Sequence, residues 1–597
     1  MKGKNITVVG MVLEDIFADF SKELISNVME AIPENKDIRL VVLPGRYYNP
    51  ELPYDDICAY NEVYNTILKL GEVCNFDGFI VHIGNLSSNK RNTIDESLIA
   101  DFKKVPNVFI ATDIENVTTV SYDNESGIRE AVDYLVNIDG LSRLCMLGGR
   151  VDNLDSILRK EIFIRCLEEN GIAFSEKNFI NTDMSENCVE EAGKLLDRNP
   201  DAQAIFCVTD AAAKGLYVAM EERGLVPGRN ILVFGFDNTR MASEMIPSLS
   251  SIGCDSCTLG QKALELLIDK FNGIENGSAL VQTRLYGRES LFYEMYDYSA
   301  TEMTKGDPSF IYRMFDDCFY RYKNEYMRRE NVNLKRLFYE FISRILLSQK
   351  RKYMSLESYN EICILIDIFF EKGAMNYTDA AKLIKSIERL QSSMNSGKVS
   401  VAANVMVNRL FSRMKDKAII SISERSIKQI SYLIDMREKF HDFLIADMVD
   451  DGTIDLKNDS IAHSISKLGL KNSVIYVFNE AVVYSRTEEL VFPKHIRLYC
   501  VIKSGDMYIL ANERQDCLLS DIFTRNELSS KCKGFAAFPI FYSDRIYGIL
   551  LSELTEDIFS RGEFLALQIG RSFYINDLRI SEKGSIHEMY RNKAASG

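Results

Sequence analysis

The segment Asp201 to Asn238, D-A-Q-A-I-F-C-V-T-D-A-A-A-K-G-L-Y-V-A-M-E-E-R-G-L-V-P-G-R-N-I-L-V-F-G-F-D-N, restricts the fold of this chain more than any other stretch. Ala204 to Val208 is a continuous apolar run, the pattern of a parallel strand covered on both faces. A helical stretch follows until Gly224 stops it, Pro227 and Gly228 turn the chain back, and Ile231 to Phe236 forms a second buried strand. The unit leaves a carboxylate at the end of each strand, Asp210 and Asp237. Ligands of open α/β sheets sit in the crevice beyond the carboxyl ends of the strands, so both aspartates are candidate contacts.

Similar apolar runs predict strands at Ile6 to Met11, Ile38 to Leu43, Phe79 to Ile83, Val108 to Ala111, Val117 to Tyr122 and Leu144 to Leu147. Amphipathic patterns lie between most of them, for example Phe20, Leu24, Ile25, Val28 and Met29. Strands alternating with helices imply parallel sheets.

Several motifs continue the pattern: Thr209-Asp210, Gly235-Phe236-Asp237-Asn238, Pro247 to Ile252, Leu259-Gly260 to Ala263, Asp123-Asn124 with Gly127, and R-L-C-M-L-G-G from Arg143 followed by Asn153, Asp155 and Arg159. Over roughly the first half of the chain this set resembles the sugar-binding core of the lactose-repressor (LacI/GalR) family. The resemblance implies an α/β, two-lobed, periplasmic-binding-protein-like (type I) domain with parallel sheets, whose lobes close on a sugar-like small molecule, and it implies a homodimer. Candidate contacts are Asp15, Phe17, Asp113, Asn153, Asp155, Arg159, Asp210 and Asp237, with Arg159 and Asp237 the strongest carry-overs. Carboxylates, Asn and Arg suit polyols as planar donors and acceptors. Trp is absent, so stacking falls to Phe17, Tyr47, Tyr48 or Tyr122. The family usually has Gly-Phe three residues after the arginine, whereas this chain has Ile162-Phe163. A helix-turn-helix headpiece normally precedes the core in that family; here the first core strand begins almost at once, so the familiar DNA-reading element is expected to be missing.

Other readings stand beside these. Asp123-Asn124 and Asn153-Asp155 read equally as helix N-caps, and Asp237 as a turn residue. Cys254-Asp255-Ser256-Cys257 has redox spacing without a second cysteine pair, and five scattered histidines form no zinc or Ser-His-Asp set. No catalytic pair, cofactor motif or metal site emerges, and an enzyme is not expected.

A chain of 597 residues exceeds what one core sustains, about 250 to 300 residues. The formal charge of −15 argues against nucleic acid as the main partner, since phosphate binding needs a basic face. Thirteen scattered cysteines fit reduced thiols. No export signal or membrane-length apolar run is present, so a cytoplasmic location is expected.

The domain reading is a ligand-binding domain at 1–297, a helical connector at 298–445, a GAF-like α+β domain at 446–580 and a tail at 581–597. From Ser309 to Glu489 there is no proline, and Leu337, Phe338, Phe341, Ile342, Ile345 and Leu346 recur at helical spacing. The basic clusters Arg328-Arg329, Lys335-Arg336 and Lys350-Arg351-Lys352 read as a solvated helix face. Later, Ser473 to Phe478, Ile496 to Ile502, Met507 to Leu510, Ala536 to Phe541 and Ile546 to Ser552 read as strands, and a helix from about Gly562 to Arg579 follows. The run Phe535 to Leu551 resembles the closing hairpin of a GAF-type sensory domain, in which terminal helices often form a dimeric seam. The order of parts resembles bacterial signalling proteins that end in a diguanylate cyclase, but the Gly-Gly-Asp/Glu-Glu-Phe loop is not in this sequence. The favoured expectation is a cytoplasmic sensor that relays lobe closure to its C-terminal module or to a downstream partner. The alternatives are a LacI-like transcriptional regulator with a non-standard DNA-binding element, or a truncated cyclase.

Overall fold

A computed structural model describes residues 6–33, 35–46, 55–82, 100–112, 116–138, 140–254, 257–291, 308–319, 322, 333–351, 353–378, 380–395, 401–449, 459–509, 515–525, 527 and 532–595. The apolar runs of the first half become strands β1 (Thr7–Leu13), β2 (Ile38–Pro44), β3 (Gly78–His82), β4 (Asn107–Ile110) and β5 (Thr119–Tyr122). The second lobe adds β6 (Leu144–Gly148), β7 (Phe179–Asn181), β8 (Ala204–Cys207), β9 (Leu232–Phe236) and β10 (Ser250–Cys254), and the chain then forms β11 (Ala279–Val281) and β12 (Thr283–Tyr286).

These strands divide into two sheets. The first lobe has the order β11-β5-β4-β3-β1-β2, all parallel. The second has the order β12-β10-β9-β8-β6-β7, parallel except for β12. The chain passes between the sheets after Tyr122, after Cys254, and between Val281 and Thr283. The parallel sheets are those the alternating pattern predicts, the two lobes are those the resemblance implies, and together they aim the carboxyl ends of both sheets at one cleft. Gly224, at φ +66°, ends the helix Asp210–Glu221 as its position between helix and turn implies.

The C-terminal region contributes β13 (Ser473–Val483), β14 (His495–Lys503), β15 (Asp506–Tyr508), β16 (Asp516–Leu518), β17 (Gly534–Tyr542) and β18 (Arg545–Glu553). They pair antiparallel in the order β17-β18-β13-β14-β15, with β16 also on β14. The hairpin expected around Gly548 is present, and β16 is an addition to the sequence reading. A Cβ on Gly548 would stand 1.9 Å from the Tyr476 carbonyl oxygen, so only glycine lets β13 and β18 approach this closely. The terminal helix runs Glu556–Ala595, longer at both ends than its apolar repeat suggested.

The two sheet systems are joined. β2 pairs in parallel with β17, Leu40 to Val42 against Gly534 to Ala536, so the first lobe and the C-terminal unit share one 12-stranded sheet. The joint is packed as well as hydrogen-bonded: Phe76 meets Phe523 at 5.2 Å, and Tyr60 meets Phe541 at 5.5 Å. Arg39, 3% exposed, donates to the Phe523 carbonyl.

Between these parts lie the helices Pro308–Cys318, Leu334–Arg351, Leu356–Glu371, Ala380–Asn395 and the 49-residue Val401–Val449. Phe338, Phe341, Ile342 and Ile345 turn inward on a core of their own with Phe315, Phe319 and Phe369, as their helical spacing requires. Of the basic clusters, Arg328 and Arg329 lie outside the described residues, and Arg336 pairs with Glu340 on an exposed face. All thirteen cysteines are free thiols, and no described helix is long and apolar enough to cross a membrane.

Candidate functional site

The cleft side of the second lobe is organised around Arg159. It lies on the helix Leu154–Glu169, whose first turn Asn153 caps by accepting from the Ser156 N–H at 2.8 Å. The arginine is 2% exposed, and its guanidinium is fully engaged. Nε donates to Asn124 Oδ1 at 3.1 Å, Nη1 to the Val208 carbonyl at 2.7 Å and Nη2 to Asp237 Oδ1 at 3.5 Å. Its plane covers the Phe236 ring at 3.6 Å, with Tyr122 at 5.7 Å on the same cluster.

Asp155 closes the network. Its Oδ1 accepts from Asn124 Nδ2 at 3.0 Å, and Oδ2 lies 3.9 Å from Arg159. Asn124 therefore uses both ends of its amide, one on the arginine and one on the carboxylate, which fixes its orientation. Asp237 sits at φ +100° and the adjoining Asn238 at φ +51°, a conformation that L side chains rarely adopt. Burial pushes the Asp237 carboxyl up to about 8 despite the pull of Arg159, with Asp210 and Asp155 pushing the same way. A buried ion pair of this kind adds little net stability, because desolvation offsets the attraction. Backbone strain and a raised carboxyl pKa thus coincide at Asp237.

Asp210 has a different task. It is 1% exposed, and its oxygens accept from Thr239 N at 2.7 Å, Thr239 Oγ1 at 2.9 Å and Ser251 Oγ at 2.5 Å. The side chain clamps the turn that carries Asp237 and so supports the site from behind. Asn153 is likewise the helix cap that one of its two readings described.

On the first lobe, Asp15 Oδ1 accepts from the Phe17 N–H at 2.7 Å and Oδ2 lies 3.3 Å from Arg46, whose guanidinium covers the Phe17 ring at 4.9 Å. Both residues thus meet Arg46, which the sequence reading did not single out. Asp113, Tyr47 and Tyr48 lie outside the described residues.

Four further residues at this cleft escaped the sequence. His82 ends β3; burial lowers its imidazole to about 4, Asp155 is the charge acting on it, and its buried Nδ1 has no hydrogen-bond partner. Thr112, just beyond β4, also has a buried hydroxyl without a partner. Glu14 and Arg150 face each other from opposite lobes at 3.8 Å. A lone histidine ending an apolar strand was the available signal, but it reads the same as a core histidine. Among the described residues no group of His, Cys, Asp and Glu is placed to hold a metal ion.

Comparison with known proteins agrees with the two-lobed fold of the first half. Residues 132–291 match the family described as periplasmic binding protein-like domain. The chain is similar to catabolite control protein A of Priestia megaterium, at 26% identity over 47% of this chain and 80% of that protein. It is also similar to the HTH-type transcriptional regulator MalR of Clostridium butyricum, at 24% identity over 49% and 84%, and to the HTH-type transcriptional regulator DegA of Bacillus subtilis (strain 168), at 28% over 42% and 70%. The first half of this chain therefore carries a two-lobed, periplasmic-binding-protein-like domain of the LacI/GalR type.

Proposed function

We propose that this protein is a ligand-responsive regulator of transcription, and that a sugar-like polar small molecule bound between the lobes is its signal. The observation that carries the reading is the constellation of Arg159, Asn124, Asp155 and Asp237 at the carboxyl ends of the second-lobe strands, facing His82 and Thr112 of the first. It gathers carboxylate, amide and guanidinium groups that can donate to and accept from hydroxyls, the polar contacts a polyol needs. The similarity to the HTH-type transcriptional regulators MalR and DegA supports the regulatory half of the proposal. Ligand that binds only the folded state stabilises it by about 2.7 kcal/mol at a hundredfold excess over Kd. A panel of mono- and disaccharides, screened by thermal shift, is expected to include at least one that raises the melting temperature. Arg159→Ala and Asp237→Ala should each abolish that rise while leaving a folded protein; unchanged stabilisation in both removes the site assignment. DNA binding is tested by an electrophoretic shift with the gene's own upstream region at several salt concentrations, where a salt-dependent complex is expected.

A second reading, relay of the ligand signal into the C-terminal unit, is favoured by one observation. Arg46 touches Asp15 at the cleft and Glu563 of the terminal helix, at 3.3 and 2.6 Å. In this reading the C-terminal unit is a GAF-like module and the protein works in the cytoplasm. Hydrogen exchange of the terminal helix, with and without a ligand found in the panel, tests it; identical protection rejects it.

A further inference from the structure

The connector helix Val401–Val449 changes its surroundings part of the way along. Up to Ala418 it is held in the helical core by Val407, Leu410, Phe411, Met414 and Ala418. Beyond that point Ile419, Ile420, Ile427, Ile430, Leu433 and Ile434 all face solvent, between 49% and 62% exposed. Single exposed apolar residues need no explanation, but six within sixteen positions of one helix form a patch that soluble surfaces avoid.

The spacing says what fits the patch. Ile420, Ile427 and Ile434 repeat every seven residues, and Ser423, Ile430 and Arg437 fall between them, the a and d positions of a coiled coil. Ile419 and Leu433 then occupy g positions beside the seam. β-branched isoleucine packs well at the a positions of a parallel coiled coil. In-register parallel pairing stacks Ile420, Ile427, Ile430 and Ile434 each on its own copy, whereas antiparallel pairing sets Ile420 against Arg437. The polar layer at Ser423 then fixes the register.

Ile420, Ile427, Ile430 and Ile434 stay open to solvent, whereas Leu433 and Arg437 line a cavity with Leu468, Arg561, Phe564 and Leu565 of the C-terminal unit. Tyr432 donates to Asp557, and Phe440 meets Phe564 at 5.0 Å, both on the side turned towards the terminal helix. The six residues present roughly 600 Å² of surface on one copy, so a pair would bury roughly 1,200 Å², which reaches the size of a specific interface.

We infer that residues 419–434 form a parallel two-stranded coiled coil with a second copy of this chain. The dimer axis then runs along the connector, and each copy's C-terminal unit is set beside the other's.

Sedimentation velocity of the full chain at micromolar concentration should give a dimer. Ile427→Glu combined with Ile430→Glu should shift it to monomer, weakening association at least a hundredfold, while the outward-facing Lys428→Glu leaves the dimer intact. Both altered isoleucines are exposed, so unchanged circular dichroism is expected and guards against misfolding as the cause. Ile420→Cys should form an intermolecular disulfide under mild oxidation, identified by mass mapping against wild type, because only in-register parallel helices bring position 420 to itself. A monomeric wild type, a double variant that stays dimeric, or the absence of a cross-link at position 420 overturns the assignment.

Discussion

Asp237→Asn should stabilise the unliganded protein above neutral pH and impair ligand binding at the same time. Burial raises the Asp237 carboxyl from 3.8 to about 8, so between these values the folded state holds a proton that the unfolded chain has released. By linkage, its contribution to stability is greatest below about pH 4 and falls as pH rises towards about 8. A shift of about 4 units at about 1.4 kcal/mol each gives an upper bound of about 6 kcal/mol on that loss. Asparagine carries no charge to desolvate, keeps an oxygen for Arg159 Nη2, and tolerates the positive φ of this position better than most residues. The attraction between Arg159 and the carboxylate is lost, but it already sits within the net shift. Wild type and variant should therefore be about equally stable at pH 4.5, with the variant ahead by about 3 to 5 kcal/mol at pH 8.5. Asp210, also raised by burial, to about 6, is present in both proteins and cancels in the comparison. Because the chain has more than one core, one unfolding midpoint is a poor measure; hydrogen exchange of the helix Leu154–Glu169 across this pH range reports the lobe itself. Parallel pH profiles for the two proteins, or a variant less stable at pH 8.5, would refute the reasoning.

Other outcomes follow from the joint between the first lobe and the C-terminal unit. Arg46→Met leaves Glu563, whose side chain is 9% exposed, without its 2.6 Å ion pair, and should cost about 2 to 4 kcal/mol. Faster proteolysis and exchange in the terminal helix would register it, and wild-type protection there would count against the bridge. Gly548→Ala drives a methyl into the Tyr476 carbonyl and should prevent β13 and β18 from pairing, seen as loss of soluble protein or a collapsed melting profile; a wild-type melt would contradict the packing.

Much of the fold and part of the site could be read in the sequence because they rest on local rules. The buried strands ending at Cys207 and Phe236 announce themselves as unbroken apolar runs, and the Asp237-Asn238 turn follows from where the second run stops. What escaped depends on distance along the chain. Nothing near Asp210 reveals that Thr239 and Ser251 occupy its oxygens, so it read as a ligand contact like Asp237. His82 and Arg46 are lone polar residues at strand ends, and only the facing lobe or the terminal helix gives them a role.

The joint at β2 is the exception, since its signal lies in the strand's own residues. In a two-lobed domain alone, Ile38–Pro44 would be the edge of its sheet, and natural edges are short, charged or interrupted to avoid pairing with other chains. This strand has seven consecutive buried residues instead. Its one charge, Arg39, is buried too, because the Phe523 carbonyl of the C-terminal unit receives it. A bare edge of this composition would be an aggregation site, so its sequence already required a neighbour, and β17 is that neighbour. The pairing ties the first lobe to the C-terminal unit through backbone hydrogen bonds, whereas the two lobes connect through three chain crossings and contacts such as Glu14 to Arg150. Rotation between the lobes disturbs no strand pairing, while rotation between the first lobe and the C-terminal unit would break a sheet. A ligand that draws the lobes together therefore moves the second lobe against a single body made of the first lobe and the C-terminal unit.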